Sequence, residues 1–264
     1  MKLRLVPARQ GAVWVKQGIQ AFARQPLGLM GLLFLFMASM TVLSLLPLLG
    51  SIIALTLLPA ATLGLMVATR EIGKGRFPMP TVLVAAFRAG RQQLRAMLVL
   101  GLLYALSLFI VLGLSAAVDG GQFARLYLGG GGLSEELASQ ASFQNAATLA
   151  TLLYIPVSLL FWHAPALVHW HQVPPVKSLF FSLVACLRNF WAFTVFGVSW
   201  ALLLMTTGLV ISSVAILLGN PEMLGVVLMP FGLISASMFF ASLYFSFNDC
   251  FEAPPGDTDD TAHP

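Results

Sequence analysis

Six apolar stretches, each long enough to cross a bilayer and almost free of formal charge, take up most of the chain and make lipid its solvent. They fall at about residues 27–49, 51–69, 96–118, 146–168, 191–218 and 223–247. Roughly 20 helical residues, rising about 1.5 Å each, cross a hydrocarbon layer about 30 Å thick. No water reaches backbone amides there, so each stretch must bond its own N–H and C=O groups as a helix. Six isolated stretches without alternating polarity cannot close a barrel. The expected fold is all-α, a polytopic membrane protein with six transmembrane helices.

Composition agrees. Of the 264 residues, 58% are hydrophobic and 9% are charged, against about 25% charged in soluble domains. The spans and their connections leave no room for a separate soluble domain, so residues 1–249 read as one membrane domain. Residues 250–264 form an acidic, proline-rich tail that is expected to be disordered. About 26 residues precede the first stretch, which is longer than a signal-peptide core, so the first helix is expected to stay in the mature protein.

The charges orient the bundle. Of the 14 Lys and Arg residues, 13 precede the first stretch or lie between stretches two and three or four and five, and Arg125 alone lies on the other side. The positive-inside rule then puts both termini and both basic connections in the cytoplasm and Arg125 outside. The net charge of +4 belongs to the membrane surface, since no nucleic-acid motif interleaves the basic residues and no nucleic-acid partner is expected. Cys186 and Cys250 fall on the reducing side without CxxC spacing and read as packing residues.

A pattern recurs before the first, third and fifth stretches: proline, a run of helix-compatible residues, a basic residue, then two spans. The units start at Pro7, Pro78 and Pro174, and the second spacing exceeds the first by about the length of the loop 119–145. Three pseudo-repeats of interfacial helix plus helical hairpin fit this spacing. In the first connecting helix Trp14, Val15, Ile19 and Phe22 oppose Lys16, Gln20 and Arg24. In the second, one helix is expected to align Arg88, Arg91 and Arg95 opposite Leu83, Phe87 and Leu94. The third, around Lys177 and Arg188, is apolar nearly all round, which favours burial against the protein. A basic amphipathic helix of this kind lies in the headgroup plane, so Lys16, Arg24, Arg88, Arg91, Arg95, Lys177 and Arg188 are candidate contacts to lipid headgroups. The plainer alternative is that these helices pack under the bundle and only obey the orientation rule.

No Asp, Glu, Lys or Arg lies within the six apolar cores. Ion-coupled transporters and intramembrane enzymes place ionisable groups at depth, so neither class is expected, nor is a cofactor. The many Ser and Thr residues in the spans read as packing groups. Pro59, Pro156, Pro165 and Pro230 interrupt the even-numbered spans and are expected to kink them. The segment FWHAPALVHWH carries His163, His169 and His171, but His169 and His171 point to different sides of a helix. With no thiolate or carboxylate nearby, an interfacial Trp and His belt is expected rather than a metal site. Gly129 to Gly132 lack the Lys-Ser/Thr sequel of a phosphate loop and read as a flexible linker. A short helix should follow, with Ser134 as N-cap and Glu135 and Glu136 in its first turn.

The opening ARQGAVWVKQGIQAFARQPLG, the Leu-Pro-Ala turn at residues 58–60 and the run of six spans resemble an uncharacterised family of proteobacterial integral membrane proteins. The resemblance covers most of the chain and implies a bacterial inner-membrane location. In layout the chain is also distantly similar to the membrane domain fused to some glycerophosphodiester phosphodiesterases, but no attached catalytic domain is expected here, so that activity does not carry over. The expected role is a non-catalytic membrane interaction or envelope-maintenance protein that contacts lipid. The alternative is a carrier or channel for an apolar or lipid-like molecule. A homo-oligomer or a membrane-protein partner stays open.

Overall fold

The structure is a computed structural model that describes residues 2–46, 49–129, 132–219 and 223–252. Among them the chain is helical, with six helices long and apolar enough to cross a membrane. In chain order the described elements are α1 (Gln10–Arg24), α2 (Pro26–Ser44), α3 (Gly50–Gly73), a 3-10 turn (Pro80–Val84), α4 (Ala85–Arg88), α5 (Arg91–Asp119), α6 (Gln122–Gly129), α7 (Glu135–Ser139), α8 (Ala141–Phe161), α9 (Ala164–Trp170), α10 (Pro175–Arg188), α11 (Phe190–Leu217) and α12 (Met223–Cys250). The spans are α2, α3, α5, α8 with α9, α11 and α12. Each begins or ends within a few residues of its expected bounds, and all 13 basic residues counted on one side lie at one end of the bundle, here the basic end.

The three connecting segments do not behave alike. The expected face of α1 is seen, with Lys16, Gln20 and Arg24 exposed. Its apolar side meets protein rather than acyl chains: Trp14, Val15 and Phe22 are buried where α1 wedges between α11 and α12. Gly11 and Gly18 permit that wedge. A Cβ at Gly11 would collide with the Ala192 carbonyl oxygen on α11, and one at Gly18 would lie 2.6 Å from the Met238 carbonyl oxygen on α12.

The second segment is not the single helix expected. Gly90 has φ +104, a conformation that glycine adopts without strain, and it breaks the chain between α4 and α5. Arg88 therefore ends α4, while Arg91 and Arg95 open the spanning helix α5. The third segment, α10, is buried along one side only, through Ser178, Ser182, Ala185 and Cys186. Val176, Phe180 and Leu187 stand exposed, so α10 meets the protein along one face although it is apolar nearly all round.

Span four is broken where its prolines suggested a kink, though not at Pro156. Helix α8 stops at Phe161, and α9 restarts with Pro165 in its first turn, where a missing N–H does no harm. Between them, Ser182 of α10 inserts into the helical ladder. The His163 N–H donates to Ser182 Oγ at 2.9 Å, and Ser182 Oγ donates to the Leu159 carbonyl at 2.8 Å. In an unbroken helix those two backbone groups would bond each other. The hydroxyl thus satisfies both halves of the lost bond, one of the recognised causes of a bend.

At the other end, α5 stops at Asp119 and the chain reverses through Gly120 and Gly121, both with positive φ. The Asp119 carboxylate accepts from the Gly121 and Phe123 N–H groups at 2.8 and 2.6 Å, capping the start of α6. Helix α6 then folds back along α5 until Leu128 packs on Leu55, Ala105 and Leu108. Leu108 lies 11 residues before the end of α5, about 16 Å along the helix. The expected helix after it is present as α7, where Ser134 accepts from the Leu137 N–H. Of the four glycines read as a linker, Gly129 ends α6, and 130 and 131 lie outside the described residues. The tail boundary also moves: Cys250 belongs to α12, Phe251 is buried and pairs with Leu3, and residues 253–264 lie outside the described part.

The basic rim and the buried histidine cluster

The seven candidate headgroup residues are brought to one end from four helices: Lys16 and Arg24 on α1, Arg88 on α4, Arg91 and Arg95 on α5, Lys177 and Arg188 on α10. All seven are exposed, and among the described residues none forms a hydrogen bond or an ion pair. Arg24, Arg88 and Arg188 sit in last turns, where the helix dipole favours a cation. Arg91 is the first residue of α5 and Lys177 lies in the first turn of α10, where it disfavours one, each by about 0.3–1 kcal/mol. Neighbouring Arg76 differs, forming a two-point pair with Glu71 at 2.8 and 3.2 Å.

Under the rim lies a hydrogen-bonded clasp that sequence reading missed. Trp14 Nε1 and Gln10 Nε2 both donate to Asp249 Oδ2 at 2.7 Å, tying α1 to the last turn of α12. Asn189 accepts from the Val6 N–H and donates to the Arg4 and Ala185 carbonyls. The Arg4 N–H donates to the Cys250 carbonyl, and the Glu252 N–H to that of Lys2. The available signal was a polar residue at two helix ends, Asn189 just after the connecting helix α10 and Asp249 in the last turn of the span α12.

The three histidines occupy three environments. His163 is fully buried against Phe193, Phe247 and Phe251, with neither ring nitrogen partnered in the structure. His171 flanks Phe247 and Phe251 at the end of α9, and burial lowers its pKa below the ordinary 6.5. His169 sits beside Trp170, and its own carbonyl and that of Val168 accept from Gln93 Nε2. Arg70 lies over the Trp170 ring at 6.0 Å. Among the described residues no three metal-ligating side chains come together. The belt is therefore only partly interfacial, because His163 belongs to the core. Cys186 and Cys250 are buried free thiols, and burial pushes the Cys186 thiol up.

A probable inner membrane protein of Burkholderia thailandensis is 37% identical to this chain over 254 residues, covering 95% of the chain and 94% of that protein. The chain belongs to the same family. No family model and no solved structure matches it. With its six apolar helices, it is a multi-pass protein of the inner membrane. None of these matches bears on the looser likeness to the phosphodiesterase-fused domain.

Proposed function

We propose that the protein is a non-catalytic lipid-contacting component of the inner membrane, engaged in membrane interaction or envelope maintenance, with its basic rim on the anionic headgroups of the cytoplasmic leaflet. The observation that carries this reading is the rim itself: seven exposed, unpaired cations from four helices, two of them at helix starts where folding alone would disfavour them. A phosphate at those starts would offset the unfavourable placement, as anions do at helix N-termini. The orientation belongs to the proposal: both termini and the loops around Lys74 and Lys177 in the cytoplasm, Arg125 outside. So does the three-unit reading, which is supported by the order of helix then two spans. Each connecting segment packs mainly on different spans: α1 on α11 and α12, the second on α3 and α5, and α10 on α8 and α9, the two halves of span four.

The carrier reading is second. An apolar hollow of about 150 Å3 between α11 and α12, lined by Val210, Ile211, Val214, Ala215 and Val227, favours it. The basic end, however, is filled by the buried residues of α9 and by Trp14, Met66 and Phe251.

Native mass spectrometry of purified protein from nanodiscs tests the first reading. Each rim cation contributes about 1 kcal/mol near an anionic surface, so Arg88→Gln, Arg91→Gln and Arg95→Gln together should cut retention of phosphatidylglycerol by about tenfold or more and leave phosphatidylcholine unchanged. Equal losses of both lipids would sink the proposal.

A further inference from the structure

Helix α10 is built the wrong way round for contact with water. Its buried stripe consists of small side chains, Ser178, Ser182, Ala185 and Cys186, while Val176, Phe180 and Leu187 are each more than half exposed. In aqueous surroundings the large apolar side would turn inward. The three exposed residues recur at i, i+4 and i+11, which places them within about 40° of one another around the helix. Lys177 and Arg188, also exposed, form a second stripe about 90° round from the first. The surface of α10 therefore divides into three sectors: one against the protein, one cationic, and one bulky and apolar. In α1, by contrast, the exposed stripe is Lys16, Gln20 and Arg24.

Two features set the depth of α10. Ser182, midway along it, bonds the Leu159 carbonyl and the His163 N–H, and His163 lies seven residues before Trp170, where span four ends. Seven helical residues rise about 10 Å, so the middle of α10 lies beside span four, about that far short of its end, rather than on top of the bundle. At the other end, Arg188 is followed within two residues by Phe190, where α11 begins. Trp191 stands exposed in the first turn of that span, the level at which tryptophans mark the boundary between membrane and water. Leu187, Phe190 and Trp191, all exposed, carry the apolar sector of α10 on to the exposed surface of α11.

We infer that α10 lies half-immersed in the leaflet on the rim side, with Val176, Phe180 and Leu187 among the upper acyl carbons of its phospholipids and Lys177 and Arg188 at their phosphates. A helix held beside the bundle at that boundary meets protein, headgroups and acyl chains at once, which is what its three sectors fit. The occupant is phospholipid rather than a second copy of the chain. A two-fold contact through this face would bring the two cationic stripes together, and α10 has no acidic residue to offset them. Only the placement of Lys177 and Arg188 at phosphates rests on the rim reading proposed above; the immersion of the apolar stripe stands on the size and depth of its residues.

The test is spin labelling of the full-length protein in phosphatidylcholine vesicles, with collisions of each nitroxide measured against oxygen, which partitions into the acyl region, and a water-soluble nickel chelate. Unmutated protein, whose two thiols are buried, gives the background. A label at Phe180→Cys should favour oxygen and read about 5–10 Å below the headgroups. One at Lys177→Cys should favour nickel. Leu202→Cys, exposed on α11 and about 18 Å along that helix from Phe190, should read deeper than either. A Phe180→Cys label that favours nickel overturns the inference, since water then covers the face. So does one as deep as Leu202→Cys, and so does one shielded from both reagents, which would mean that a second copy sits there. Val176→Cys and Leu187→Cys read the same stripe if Phe180→Cys does not fold. Because the vesicles are neutral, failure of the rim reading, scored by retention of phosphatidylglycerol, leaves this outcome unaffected.

Discussion

Helix α11 passes through two different environments. In its first three turns Ala192, Phe196 and Trp200 are buried against α1 and its neighbours, whereas none of residues 201–214 is buried. The contrast extends to whole helices: 56% of the apolar window of α3 is buried inside the protein and 11% of that of α11. Both helices are equally suited to lipid, so apolarity does not decide where the protein packs. Between helices in a bilayer there is no hydrophobic drive, and association needs close backbone approach and hydrogen bonds. The basic end has both, in Gly11, Gly18, Ser182, Asn189 and Asp249. The far half has few of either outside the α5, α6 and α8 corner.

The largest effect should come from filling the close approaches. Gly11→Val or Gly18→Val forces a side chain into the α11 or α12 backbone and should destabilise by about 3 kcal/mol or more, at the upper end for overpacking. Gly208→Ala on α11 and Gly232→Ala on α12 meet open space and should be neutral or stabilise by about 0.5–1 kcal/mol. Unfolding in denaturing detergent measures both sets. Similar shifts at all four glycines would break the contrast between the two ends.

Next is the clasp. Asp249→Ala removes the shared acceptor of buried Trp14 and half-buried Gln10 and should cost about 2–3 kcal/mol. Thr206→Val in the far half loses only a bond to its own helix and should change stability by less than about 0.5 kcal/mol. Thermal melts of the two variants in the same detergent give the comparison directly.

What the sequence disclosed follows the same division. The six helices were legible because a bilayer permits little else, and the exposed face of α1 was legible because Lys16, Gln20 and Arg24 repeat with the helix. The break at Gly90 was hidden because an isolated glycine within a helical pattern is tolerated at a cost of about 1 kcal/mol and does not by itself mark a break. The side on which α10 is buried could not be read, since in lipid both its faces are apolar. The joins between distant residues, Trp14 with Asp249 and Ser182 with Leu159, carry no local pattern. Nor did anything in the Asp119 to Gly129 segment announce that α6 turns back, beyond a capping Asp followed by two glycines.

Ser182 gives a smaller effect of the same kind. Ser182→Ala leaves the His163 N–H and the Leu159 carbonyl unpaired in a buried site and should cost about 1–3 kcal/mol, with hydrogen exchange rising around residues 159–165. Exchange in α6 should not respond. An equal response at both places would mean that the helix break is no local device.

The smallest effect sharpens the comparison through pH. His171 is half-buried at the basic end, with Nε2 unpartnered, and burial lowers its pKa below the ordinary 6.5. The unfolded chain therefore takes up a proton first as pH falls, so the contribution of His171 to stability is complete above about 6.5 and declines below it, until the folded state is protonated too. Between about pH 7.5 and about pH 5.5, hydrogen exchange at the junction of α9 and α10 should quicken, while α6 and α7, which contain no histidine, should stay level. His171→Phe keeps the ring against Phe247 and Phe251 and removes the titration, so it should flatten the profile. A slope that survives in His171→Phe would move the acid sensitivity to another group, and a matching slope in α6 would remove it from the basic end altogether.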